Sequence, residues 1–135
     1  MAWQVLLLKL PDALGSLADL PADYVPATLG EAEHVAKRIT EAASGKDLDV
    51  DSDGVRLVVM RNEDFVIEAE LGGTGQVDRV LLRVLGSEAA LPLVGELART
   101  LEAAAIDCET DAVLDIDAIE PDSLRLWQNR IDDLR

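Results

Sequence analysis

Hydrophobic and polar positions change rhythm repeatedly along the chain, and each change predicts an element. Trp3 to Leu10 opens with an apolar run suited to a central, buried strand. The segment 11–29 contains Pro11, Pro21 and Pro26, which predict an irregular connection rather than long regular structure. Leu29, Ala32, Ala36, Ile39 and Ala43 then recur at helical spacing, with His34, Lys37, Arg38 and Glu41 on the other side. Thr28 and Glu31 fit a T-x-x-E capping box at its start, and Ser44-Gly45 supplies a stop.

A period of two follows. Val55 to Met60 and Phe65 to Leu71 flank Arg61-Asn62-Glu63-Asp64, the length of a hairpin connection. Gly72-Gly73-Thr74-Gly75 turns the chain into a third strand, Asp78 to Leu85. Phe65, Ile67, Ala69 and Leu71 are expected to face inward with Val80, Leu82 and Val84. Helical spacing returns from Glu88 to Ala104, with Pro92 in the first turn, where its missing N–H costs nothing. Ala105 to Asp117 suits one bent strand or a tight hairpin. Asp122 or Ser123 is placed to cap a terminal helix with Leu124, Trp127, Ile131 and Leu134 on one stripe. The order β-α-β-β-β-α-β-α predicts a single α+β domain over 1–135, a mostly antiparallel sheet with helices mainly on one face.

The outward sheet face is expected to carry Val58, Met60, Val66, Leu81 and Leu85 among its charges. So apolar a face calls for a cover, either the terminal helix or a second subunit, and intramolecular packing is favoured over a homodimer.

Charge narrows the partners. The 135 residues hold 27 acidic and 12 basic side chains, a formal charge of −15. Such a surface repels phosphate backbones and anionic lipid, which argues against direct nucleic-acid or membrane binding. It attracts a basic protein or a metal ion. Arginine, alanine and aspartate outnumber lysine heavily, a bias that also fits a GC-rich or salt-adapted source, where acidity serves solubility. An apolar run such as Val5–Leu8 is far too short to span a bilayer, and without a basic segment, an apolar stretch and a small-residue cleavage site no secretory signal is expected. The single cysteine, Cys108, excludes an internal disulfide, and a reducing, cytoplasmic setting is expected.

Few residues suggest chemistry. Asp49-Val50-Asp51-Ser52-Asp53-Gly54 opens like a calcium loop, where oxygen ligands converge as a glycine turns the chain. The remainder departs from that pattern, since Met60 occupies the place of the bidentate acid and Leu57 that of a further carboxylate. Asp49, Asp51 and Asp53 are therefore the candidate metal ligands, and an acidic turn before a strand is the favoured reading. Glu68 and Glu70 share a strand face as catalytic carboxylates do, but Arg56, Arg79 and Arg83 are expected beside them as cross-strand partners. His34, the only histidine, falls on a polar helix side without a second imidazole for zinc. Cys108 lies between Asp107 and Glu109, which blunts its nucleophilicity, and it is expected to pack as a small strand residue. The glycine turn precedes a strand and lacks a P-loop lysine, so it is not a phosphate cradle. No catalytic residue or cofactor is assigned.

Trp3-Gln4-Val5-Leu6-Leu7-Leu8 with Pro11, Ser16-Leu17-Ala18-Asp19-Leu20-Pro21, Leu29-Gly30 and the strand Phe65 to Leu71 together resemble a loose group of short, uncharacterised bacterial proteins. The resemblance implies one compact α+β domain and no particular activity. Size, charge and the shortage of catalytic groups lead to the expectation of a non-enzymatic, immunity- or inhibitor-like domain that engages a basic protein. A carboxylate-based metal or enzymatic domain and a structural or regulatory homodimer are the alternatives.

Overall fold

A computed structural model describes residues 3–10, 27–44, 46, 48–53, 56–72, 76–109 and 112–114. It opens with an interior strand, β1 (Trp3–Leu8), whose alternate residues Trp3, Val5 and Leu7 are fully buried. The chain then forms β2 (Gly30–Glu31), helix α1 (Ala32–Ala43), β3 (Asp49–Ser52), β4 (Leu57–Arg61), β5 (Phe65–Gly72), β6 (Gln76–Val77) and β7 (Arg79–Gly86). A 3₁₀ turn (Glu88–Ala90) leads into α2 (Leu91–Thr100), followed by β8 (Ala104–Asp107) and β9 (Val113–Leu114). Seven strands make one antiparallel sheet in the order β3-β4-β5-β7-β1-β8-β9, while β2 and β6 pair as a separate short ribbon. The fold is therefore α+β with a mostly antiparallel sheet, as the sequence pattern predicts.

Strict alternation on β5 and β7 fixes which face is the core. Ile67, Ala69, Val80, Leu82 and Val84 are fully buried and meet Val35, Ile39, Val94 and Leu97 from the helices. Both helices thus cover the same sheet face. The expected outward placement of Val58 and Met60 is corrected: both are fully buried, in register with Ala69 and Ile67. Leu57-Val58-Val59-Met60 is apolar at every position, so alternation alone cannot set its phase, and pairing with β5 decides it. Leu57, Val59 and Arg61 are the outward residues of β4.

The helix starts also differ from expectation. Glu31 is the N-cap of α1 and makes no side-chain cap bond, so the Thr28–Glu31 capping box does not form. Thr28 instead donates its hydroxyl to Gln76 Oε1 at 2.7 Å and accepts the Gly30 N–H at 3.0 Å. The competing ribbon between Gly30–Glu31 and Gln76–Val77 takes the residues that the box would use. Val35, absent from the expected stripe, is fully buried, while Ala32 is only partly so. The second helix is shorter than its apolar pattern. It ends in a Schellman motif, with Glu102 N–H donating to Arg99 O at 3.0 Å and Ala103 N–H to Ala98 O at 2.9 Å. Of the two readings for Ala105 to Asp117, the hairpin is the one formed, through β8 and β9. The terminal helix and most of the proline-rich segment, residues 11–26, lie outside the described residues.

Two backbone positions yield opposite expectations. Glu102 holds the left-handed turn of the Schellman motif at φ 53°, a conformation that costs a side chain about 1 kcal/mol. Glu102→Gly should therefore stabilise the fold by about 0.5–1 kcal/mol in urea denaturation. Gly86 has φ 105°, and a Cβ there would stand 2.4 Å from Asp64 O and 2.8 Å from Phe65 Cα. Gly86→Ala should cost about 2–4 kcal/mol, with a lower urea midpoint as the readout. A neutral Gly86→Ala would show that the β5–β7 end does not close this tightly.

Candidate functional site

Two surfaces gather the residues singled out by the sequence. The first is the β3 edge. Residues alternate sides along a strand, so Asp49 and Asp51 share one side while Val50 between them packs against the core. This accounts for the D-x-D spacing without a ligand. Asp51 Oδ2 meets Arg61 Nη2 of β4 at 2.7 Å, an exposed pair worth at most about 1 kcal/mol. Asp53 has left the strand. Its Oδ1 accepts the N–H groups of Arg56 at 2.7 Å and Leu57 at 3.0 Å, closing the turn into β4. Among the described residues no group of three His, Cys, Asp or Glu side chains is placed to hold a metal ion. The three aspartates are thus divided between an edge strand and a turn. Glu63 and Asp64, exposed in the β4–β5 hairpin, extend the acidic rim. That hairpin is closed by Asn62, whose Oδ1 accepts the N–H groups of Asp64 and Phe65.

The second surface is the sheet face turned away from the helices, across β4, β5 and β7. Glu68 stands opposite Arg83 in the register, but Arg83 Nη2 reaches diagonally to Glu70 Oε2 at 2.7 Å. Arg79 pairs with Asp78 at 3.3 Å and lays its side chain over Gly72, where a Cβ would come within 2.9 Å. Arg61, Arg79 and Arg83 project from this side, Arg56 lines its groove, and Asp49, Asp51, Glu68 and Glu70 stand among them, so the face carries both signs of charge. Arg56, Leu57, Glu68, Glu70, Leu71 and Arg83 line an open groove of about 450 Å³. The arginine–glutamate pairing expected from the strand pattern is realised at Glu70–Arg83. The Asp51–Arg61 pair was not foreseen, because it depends on β3 joining the sheet as a strand.

Further along the sheet, the same outward side turns apolar. Leu6 and Ile106 are in register there, Leu8 lies next to them, and both Leu8 and Ile106 are buried although they point away from the main core.

The remaining candidates are scattered. His34 is exposed on α1, far in the chain from the acidic edge. Cys108 is exposed in the turn after β8, which corrects the expectation of a packed strand residue. The hairpin claims its neighbour instead: Asp107 is buried, and its Oδ1 accepts the Glu109 N–H at 2.9 Å. Gly72 ends β5, and the rest of the glycine turn lies outside the described residues.

No family model, curated protein or solved structure matches the chain.

The division of the aspartates has a measurable consequence. Asp53→Ala removes an acceptor from two backbone N–H groups and should cost about 1 kcal/mol. Asp53→Asn keeps that oxygen and should cost less, while Asp49→Asn should stay within about 0.5 kcal/mol of the wild type. Thermal denaturation of the three variants, with and without calcium, checks this. Equal losses at Asp49 and Asp53, together with a calcium-dependent rise in the wild-type midpoint, would favour a metal loop over a turn.

Proposed function

We propose that the domain is a non-enzymatic, immunity- or inhibitor-like module that engages a basic protein through the acidic rim formed by the β3 edge and the β4–β5 hairpin. The observation that carries this reading is the distribution of charge. The chain bears −15 overall, yet the outward face of β4, β5 and β7 balances its carboxylates with arginines. Excess negative charge therefore lies elsewhere, and Asp49, Asp53, Glu63 and Asp64 hold a solvent-facing share of it. Exposed carboxylates of one sign raise the encounter rate with a cationic surface and select it over anionic competitors. The same field disfavours nucleic-acid backbones.

Affinity capture from source-cell lysate at low ionic strength tests the reading. A basic protein should be retained, its binding should weaken steeply with added salt, and the pair Asp49→Lys and Glu63→Lys should reduce affinity at least about tenfold. Asp53 is left intact in that variant because it closes a turn. Retention of no basic protein, or retention indifferent to charge reversal, would contradict the proposal.

A further inference from the structure

We infer that the outward face of β4, β5 and β7 is a self-association surface, on which a second copy of this chain docks face to face. This inference is independent of the basic partner proposed for the acidic rim, and either can fail alone.

Three observations converge on this face. Leu57 and Leu85, 37% and 36% exposed, are the exposed large hydrophobic side chains among the described residues, and both point outward here. Val59, Val66 and Leu81 lie half-buried between them. Among the described residues, α1 and α2 pack against the opposite face, so neither of them covers these residues. Finally, Arg56 and Glu68 line one groove, and neither side chain has an ion-pair partner among the described residues, because Arg83 is engaged by Glu70.

Charge selects the occupant. Two copies carrying −15 each repel one another over most approaches, but this face is locally close to neutral. A two-fold interface is self-complementary: whatever residue i meets in one direction, it meets again in the other. An unpaired guanidinium and an unpaired carboxylate on the same face satisfy that condition. Arg56 of each copy faces Glu68 of the other, giving two ion pairs, with Leu57 and Leu85 adding apolar contacts at opposite corners of the face. Three neighbouring strands of this length offer a footprint on the order of 500 Å² per copy. That is below the ~800 Å² per partner of a standard complex, so association is weak and concentration dependent.

Sedimentation equilibrium from about 10 μM to about 1 mM covers the range expected of so small an interface. The mass should rise from 14.5 kDa toward twice that value. Arg56→Glu and Glu68→Arg should each weaken association at least about tenfold, and the double variant should recover to within about threefold of the wild type. Leu85→Asp should weaken it as strongly. Circular dichroism should show all variants folded, since the main chain of Arg56, not its guanidinium, holds the turn with Asp53. A mass fixed at 14.5 kDa across the range would overturn the inference. So would association indifferent to these substitutions, or a double variant no tighter than the single ones.

Discussion

The backbone ladder that joins β5, β7 and β1 is what the rest of the molecule depends on. Each of these strands is hydrogen-bonded on both sides, and together they carry the longest registers in the sheet. Because side chains alternate along a strand, one fixed register aligns Ile67 with Val84, Ala69 with Leu82 and Leu71 with Val80 on a single face. Sliding that register by one residue would turn Glu68, Glu70 and Arg83 toward the helices. Each buried charge without a partner would then cost several kcal/mol, a large part of the stability of a domain this size. Both helices dock on the apolar face that the ladder creates. The tight closure at Gly86 and the asparagine turn at Asn62 hold the ends of the hairpins in that register.

Much of this was legible in the sequence, for reasons that can be traced to particular residues. β5 and β7 alternate cleanly, so their inner faces and the Glu70–Arg83 pairing follow from period two. β4 did not yield its phase, because four consecutive apolar residues fit either face and only the register with β5 distinguishes them. The capping box at Thr28 failed for a related reason. Its residues are equally able to form a short ribbon with Gln76 and Val77, and a contact so distant in sequence is invisible to a local motif. The aspartate repeat fits a calcium loop or an acidic turn in sequence, and strand alternation accounts for Asp49 and Asp51 because Val50 packs inward.

The acidity that dominates the composition takes on a spatial meaning in the fold. On the outward sheet face each carboxylate has an arginine within its neighbourhood, so the sheet presents alternating charge rather than a negative field. The β3 edge and the β4–β5 hairpin retain a net negative rim. An edge strand studded with aspartates also resists adding a further strand from an equally acidic copy. Acidity and apolar exposure therefore occupy different surfaces, and each invites a different kind of contact.

Native-state hydrogen exchange followed residue by residue tests the central ladder most directly. Amides of β5, β7 and β1 should exchange only through global unfolding, whereas those of the edge strands β3 and β9 should open at lower free energy. If β1 exchanged as readily as β3, it would not be a buried interior strand of the sheet, and the account built on it would be contradicted.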